Sequence, residues 1–470
     1  MIGIAVILFH IAGLVSSIHA IMSTRTDQGA VAWAISLNTL PYVAVPAYWV
    51  LGRSHFEGYV TARQGEMDEI AGIGDAAQAA VREFELPPDR VTPAALAAQR
   101  LAGMPFLYGN SVQLLVDGDN TFGSILRGID VAEDYSLFQF YIVHDDEIGR
   151  RIKQHLIARA EAGVRVYFLY DEMGSHELPA SYKRDLQAAG IEVSPFNTRK
   201  GHGNRFQINF RNHRKVVVVD GRTAWVGGHN VGDEYLGRDP KFGHWRDTHV
   251  RIIGPAALGA QLSFAEDWYW ATDQRLALTW QPEAAAEADL PVLILPSGPA
   301  DEYETANLMF VQAINVAKER IWIASPYYIP DRSVITALQL AALRGVDVRI
   351  LIPDQPDHLG VYLAAFTYLD EAGQSGVKFY RYQDGFLHQK VVLVDNAYAT
   401  IGTANFDNRS FRLNFEITAA VADRDFAAEV QSMLENDFAR ARLMAPGEYD
   451  AKPWWFRFAA KLARLTAPVQ

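Results

Sequence analysis

One string occurs twice in this chain with identical spacing, H-x-K-x4-D-x6-G-x2-N. The first copy, NHRKVVVVDGRTAWVGGHN, supplies His213, Lys215, Asp220, Gly227, Gly228 and Asn230. The second, LHQKVVLVDNAYATIGTAN, supplies His388, Lys390, Asp395, Gly402, Thr403 and Asn405. Each copy closes a longer repeat. Residues 125–171 run ILRGIDVAEDYSLFQFYIV, a helical stretch, then AGVRVYFLYD; residues 310–354 run FVQAINVAKERIWIASPYYIP, a helical stretch, then RGVDVRILIPD. Each reads as helix, apolar strand, amphipathic helix, Gly-Val turn and apolar strand, a βαβ pattern feeding a largely buried parallel sheet. The chain is therefore expected to hold two similar α/β domains, at 105–275 and 276–450, connected through the Ala-, Pro- and charge-rich segment 271–291.

The spacing carries chemistry. Histidine and lysine two apart on an extended chain project from one face and can address one ligand. The valine-rich runs bury the strand behind them, and a glycine-containing turn permits close backbone approach to an anion. Asn230 and Asn405 add neutral donors. A phosphodiester carries about one negative charge, so Lys215, Lys390 and the two asparagines converging on it would stabilise a five-coordinate phosphoryl transition state without a metal ion or other cofactor. An imidazole used in catalysis needs its other nitrogen held, usually by a carboxylate. Asp247 in WRDTHVRIIGP and Glu416 in FRLNFEITAAV open later apolar strands in matching places after the two histidines. Asp220 and Asp395 complete the candidate catalytic set with His213, Lys215, His388 and Lys390, although for these two a bracing role, behind a strand, is a stronger reading than contact with substrate.

Composition narrows the class. With 470 residues, 49% hydrophobic and 21% charged, the chain can bury substantial cores. It contains no cysteine, which removes disulfides, thiolate nucleophiles and Cys-based zinc sites. A formal charge of −12 makes a nucleic acid a poor partner.

Residues 2–22 carry no Asp, Glu, Lys or Arg and are long enough, at about 1.5 Å per residue, to cross a hydrocarbon layer of about 30 Å. A second uncharged run covers 30–51, with Asn38, Pro41 and Pro46 inside it and Trp33, Tyr42, Tyr48 and Trp49 suited to interfacial depths. Together, residues 1–55 read as two transmembrane helices forming a hairpin anchor, followed by a linking helical region at 56–104. Arg53 and Arg63, set against Arg25 and Asp27 in the connecting loop, slightly favour a cytoplasmic soluble part. Between Val193 and Val219 there is no acid, while Arg199, Lys200, Arg205, Arg211, Arg214 and Lys215 form a basic stretch leading to the first motif. At 451–470, KPWWFRFAAKLARL reads as a basic amphipathic helix for an anionic interface, or as a terminal helix packed on the domain.

The duplicated H-x-K-x4-D resembles the phospholipase D superfamily, and the strings AWAISLNTLPYVAVPAYWVLGR, LYDEMGS, GGHNVGDEY, SPYYIPD and GTANFDNRSFRLNFE are similar to those of its bacterial cardiolipin synthases. The departure from many relatives is Gly228 and Thr403 in place of serine. The resemblance implies two α/β/α sandwiches in a pseudo-twofold pair, forming one site from both motifs. It implies a two-step displacement, with His213 as nucleophile and His388 as general acid and base, although the symmetry of the motifs leaves their order open. It also implies transfer of a phosphatidyl group between two phosphatidylglycerol molecules with release of glycerol. Implied partners are phosphatidylglycerol, other anionic phospholipids and the bacterial inner membrane, in multi-pass form; no oligomeric state follows. Phospholipase D hydrolysis and a nuclease activity stay open as alternatives on the same residues.

Overall fold

The computed structural model describes residues 2–24, 26–52, 56, 59, 79–196 and 209–467. Arg25, Arg53 and Arg63, on which the expected orientation rests, and Arg199, Lys200 and Arg205 of the basic stretch lie outside the described residues.

The amino-terminal apolar run forms helix α1, Ile2–Ser23, of which Gly3–Ser23 is long and apolar enough to cross a membrane. The second run is not the single helix expected. It forms α2, Asp27–Thr39, and α3, Pro41–Leu51, broken at Leu40, which sits outside helical geometry at φ −133° and ψ 54°. The cause is local: a proline cannot donate its missing N–H, and its ring pushes the preceding residue out of the α region. Both pieces pack on α1. Polar pairs join them, His19 Nδ1 to the Tyr48 hydroxyl at 2.6 Å, Asn38 Nδ2 donating to Ser17 Oγ at 2.7 Å and Trp49 Nε1 donating to Ser16 Oγ at 3.0 Å. Such bonds are the adhesive of helices in an apolar solvent. Tyr48 is fully buried between the helices. The outward face of α1 bears Ile4, Ile7, Leu8, Ile11, Leu14 and Ile18, all exposed.

The two repeats build one continuous mixed sheet with the same strand order in each half. In the first half it runs Glu192–Phe196, Arg165–Asp171, Tyr135–Phe140, Val216–Val219, Thr223–Gly227, Thr248–Ile253, Leu107–Val116. In the second it runs Lys378–Tyr382, Asp347–Pro353, Arg320–Ala324, Val391–Val394, Tyr398–Gly402, Asn414–Val421, Leu290–Ser297. The halves meet where Leu107–Val116 pairs antiparallel with Leu290–Ser297. Among the strands just named, parallel pairing, expected throughout, joins only the three βαβ strands of each half; the motif strands return through tight turns and pair antiparallel. The reason is the short Asp-Gly and Asp-Asn connections after Val219 and Val394, which can only make hairpins. Val216, Val218, Val391 and Leu393 enter a core cluster shared by both halves.

Candidate active site

Both motif histidines come together in one buried centre, and two very short strand pairs explain how. Arg211–Asn212 pairs parallel with Asn414–Phe415, and Phe386–Leu387 pairs parallel with Trp245–Arg246. The next residues on the paired strands are His213 with Glu416 and His388 with Asp247. Backbone bonds extend the register, His213 N–H donating to Phe415 O at 2.9 Å and His388 N–H to Arg246 O at 2.8 Å. Each histidine is therefore held by the carboxylate of the other half. His213 Nδ1 lies 2.9 and 3.1 Å from the two oxygens of Glu416, and His388 Nδ1 lies 2.7 Å from Asp247 Oδ2. In each pair Nδ1 is occupied, which leaves Nε2 for chemistry.

The two carboxylates are supported differently. Glu416, wholly buried, also accepts from Thr403 Oγ1 at 2.6 Å, Ser410 Oγ at 2.8 Å and Asn414 Nδ2 at 3.2 Å. Burial pushes its carboxyl up, but His213, Lys215 and Thr403 together outweigh burial and hold it below the usual carboxylate range. Asp247 accepts from its neighbour Thr248 N–H at 2.8 Å, and burial leaves its carboxyl raised. Thr403 and Gly228 occupy the same motif position, and each suits its carboxylate. Threonine gives Glu416 a hydroxyl, whereas a Cβ at 228 would stand 2.0 Å from Asp247 Oδ1. Gly227 and Gly402 are likewise filled against the carboxylate strands, a Cβ meeting Thr248 O at 2.4 Å or Ile417 O at 2.5 Å. These glycines thus serve strand packing, not the approach of an anion to backbone expected from sequence.

Lys215 and Lys390 are buried beside the histidines. Lys215 Nζ donates to His213 O at 2.7 Å; the Lys390 ammonium contacts His388 O and lies 2.9 and 3.1 Å from the two ring nitrogens. Burial drives the Lys215 ammonium well below its ordinary value and brings that of Lys390 to about 8. Burial also pulls the His213 imidazole down to about 4, with Glu416 resisting and Lys215 assisting. His388 is also held well below its ordinary value, by burial and then by Lys390 and Lys215. The centre accordingly favours neutral imidazoles at neutral pH and makes its lysine cations costly to keep buried without an anion.

The motif aspartates are elsewhere. A four-residue strand, or roughly 13 Å at 3.3 Å per residue, separates Lys215 from Asp220. The Asp220 carboxylate accepts the backbone N–H groups of Glu133, Asp134 and Tyr135, each at 2.8 Å. Asp395 accepts those of Lys318, Glu319 and Arg320 at 2.8–3.2 Å. Both aspartates are left-handed, φ 53° and 50°, in the hairpin turn. They brace the start of the neighbouring strand and do not belong with the catalytic set. Asn230 and Asn405 are buried; Asn230 Oδ1 accepts from Ile142 N–H at 3.2 Å, and Asn405 Oδ1 has no hydrogen-bond partner among the described residues. Arg214 leaves the basic stretch altogether, turning inward to a buried ion pair with Asp267 at 2.9 Å.

Several site residues carry no motif. Tyr141 packs edge-on against His213 with ring centroids 4.9 Å apart, and Trp245 stands 5.1 Å from the His388 ring. On the reverse face of the second motif Gln389 donates to Asp437 at 2.8 Å, and Asp437 also holds Arg246 in a bidentate pair at 2.7 and 2.8 Å. The alternation of side chains about His388 could have pointed to an inward polar partner for Gln389, but its identity requires the fold.

A pair of carboxylate-held imidazoles facing two lysines defines a phosphoryl-transfer centre of the phospholipase D class. A family model described as cardiolipin synthase, PLD-like domain, matches residues 125–240 and 310–438. The chain belongs to that family. It is 48% identical to cardiolipin synthase A of Pseudomonas fluorescens, over 99% of this chain and 98% of the relative, and 49% identical to cardiolipin synthase A of Pseudomonas putida, over 98% and 97%. Among solved structures, the fold resembles phosphatidylserine synthase of Haemophilus influenzae, with a TM-score of 0.58 and 17% identity over 81% of this chain and all of that one.

Proposed function

We propose that this chain is a cardiolipin synthase that transfers a phosphatidyl group from one phosphatidylglycerol to another. The observation that carries the mechanism is the exchange of carboxylates between halves, which puts His213 and His388 in one site and supports a pseudo-twofold pair of domains. His213, neutral and with Nδ1–H directed to Glu416, attacks phosphorus through the Nε2 lone pair. The phosphorus–oxygen bond to the glycerol headgroup breaks, and His388 Nε2–H protonates the departing oxygen. The primary hydroxyl of a second phosphatidylglycerol then attacks the phosphohistidine, giving its proton to His388, while the phosphorus–nitrogen electrons return to His213. Lys215, Lys390, Asn230 and Asn405 stabilise the charge on the equatorial oxygens. The substrate phosphate offsets the two lysines that depress His388, so its proton is held only when substrate is present.

Helix α1 and the α2–α3 pair serve as a hairpin anchor in the bacterial inner membrane, with the soluble part on the cytoplasmic side. The carboxyl-terminal helix Trp454–Arg464 lies on the anionic surface. Its inner face packs on helix Leu359–Gly373 through Ala460, Phe456 against Phe366, and Arg464 paired with Glu371 at 3.0 Å. Its outer face leaves Trp454, Trp455, Phe458, Leu462 and Leu465 exposed. The packed-helix reading applies to the inner face, and we assign the interfacial reading to the outer one. Replacing Trp454, Trp455 and Phe458 with serine should weaken flotation with phosphatidylglycerol vesicles at least ten-fold in a chain lacking residues 1–52; unchanged flotation would remove the interfacial role.

The reaction is tested in micelles of labelled phosphatidylglycerol with wild type, His213→Ala and His388→Ala. Cardiolipin and free glycerol from wild type alone support transfer through both histidines; phosphatidic acid as the main product would make water the acceptor and refute it.

A further inference from the structure

We propose that Asp267 and Asp437, buried on the closing helix of each half, are positioning residues for the reaction. Each clamps one histidine–carboxylate joint from behind and so sets the aim of the ring. The inference rests on the reading above that both histidines react, and it applies whether lipid or water is the acceptor.

The joints need such a clamp. His213 and His388 meet their carboxylates at the ends of two-residue strand pairs, which make too few backbone bonds to be stable by themselves. On an extended chain the residues on either side of a histidine point to the opposite face. Whatever holds those neighbours therefore holds the ring between them.

At the first joint both neighbours of His213 go to one carboxylate. Asn212 Nδ2 donates to Asp267 Oδ2 at 2.7 Å, and Arg214 Nη1 lies 2.9 Å from Asp267 Oδ1. Arg214 also reaches the partner strand, its Nε donating to Glu416 O at 3.0 Å. Gln139 Nε2 and the Tyr59 hydroxyl complete the donors around Asp267, at 2.7 and 3.2 Å. At the second joint different residues build the same device. Asp437 accepts from Gln389, the neighbour of His388, and from the fork of Arg246, the neighbour of Asp247. Thr248, on the other side of Asp247, closes the ring by donating its hydroxyl to Gln389 Oε1 at 3.1 Å.

The two aspartates hold equivalent places. Asp267 lies on helix Ala257–Thr272 and Asp437 on helix Arg424–Ala439, each the helix that follows the strand bearing the catalytic carboxylate. Both are buried. The acid is common to the halves while its donors differ: the arginine stands beside the histidine in one and beside the carboxylate in the other. Packing alone does not call for this, because a buried ion pair carries a desolvation cost that an apolar pair of similar volume avoids. What the two acids add is a fixed direction for donors that flank the reacting groups.

The test uses neutral substitutions that spare both ion pairs, Asn212→Leu at the first joint and Gln389→Leu at the second. Glycerol release from labelled phosphatidylglycerol is measured for the full chain in mixed micelles. Each variant should lower kcat about 30-fold with KM within about three-fold. In an Asp247→Asn chain, whose His388 already lacks its carboxylate, Gln389→Leu should cost less than about three-fold, but in a Glu416→Gln chain its full factor; Asn212→Leu should do the reverse. Asp267→Asn and Asp437→Asn should follow the same pattern with larger losses, and the neutral variants keep the test decisive if an unpaired buried arginine prevents folding. A role in stability alone lowers activity by one factor in both backgrounds. That result, or single neutral variants within three-fold of wild type, overturns the clamp. Glycerol released with phosphatidic acid in place of cardiolipin would refute lipid transfer and leave the background-specific factors in support of the clamp, whereas no release by wild type would strike both.

Discussion

Replacing Glu416 with glutamine should disable His213 from a position 203 residues away. The carboxylate accepts from the His213 imidazole through both oxygens, from Thr403 and Ser410 hydroxyls and from the Asn414 amide. Glutamine keeps the volume but has one acceptor oxygen and an NH2 that must face donors, whichever way the amide is turned. If the NH2 faces His213, the ring must present a lone pair at Nδ1, which moves the hydrogen to Nε2 and removes the nucleophilic lone pair. If the oxygen faces His213, the NH2 collides electrostatically with hydroxyl donors, and the positive charge that the His213 ring carries while its Nε2 is bonded to phosphorus lacks its counter-charge. Loss of the carboxylate that fixes a catalytic tautomer is worth about 10³–10⁴ in kcat. The lost charge-assisted bonds cost about 1.5–3 kcal/mol of stability, partly offset because a buried charge is also removed. Initial rates of cardiolipin formation at several phosphatidylglycerol fractions, with thermal melts in the same micelles, separate the two effects. The expected result is a kcat drop of at least 10³ with KM within about three-fold and a folded protein. A drop below ten-fold in a folded variant would refute the crossed pairing as a working part of the site.

Gly228→Ala should cost at least about 10² in kcat, because its Cβ falls 2.0 Å from Asp247 Oδ1 and must displace the carboxylate that aims His388; normal turnover would show that Asp247 does not need its present place. Asp220→Ala should lower the melting temperature by several degrees, reflecting about 1–3 kcal/mol for three backbone acceptor contacts and an alanine at φ 53°, with Asp220→Asn milder. A variant that is fully stable yet inactive would return Asp220 to the catalytic set. Stability should fall as the solution is acidified from about pH 6.5 towards 4. Burial lowers His229 to about 4 against an ordinary 6.5, so the unfolded chain binds a proton there that the folded chain refuses, and about 3 kcal/mol present above pH 6.5 is lost by pH 4. His229→Ala, the residue found at the matching position 404, should flatten the decline of melting temperature between pH 7.5 and 5; an unaltered slope would contradict the assignment.

The duplicated motif, the strand and helix order and the six residues between histidine and the bracing aspartate were legible because each rests on short-range periodicity. What joins the halves was not. The crossing of Glu416 to His213 and Asp247 to His388 depends on two-residue strands, Arg211–Asn212 and Phe386–Leu387, too short to leave a pattern and paired with partners more than 100 residues distant. Sequence also assigns Arg214 to a basic stretch, since charge alone cannot show that alternation turns it inward to Asp267. Gly228 reads as a turn residue, although the space it leaves belongs to Asp247. In the amino-terminal region hydropathy runs straight through Leu40 and Pro41, where backbone geometry ends one helix and begins another.

Trapping the covalent intermediate bears most directly on the shared centre. Wild type mixed with phosphatidylglycerol labelled at phosphorus would be quenched within one turnover by denaturing detergent at mildly alkaline pH, which preserves a phosphorus–nitrogen bond, and the labelled peptide identified by mass. Label on His213, weakened in His388→Ala and absent from His213→Ala, is the predicted result. Label on any residue other than the two histidines, or cardiolipin formed at the wild-type rate by either alanine variant, would contradict a single site built from both halves.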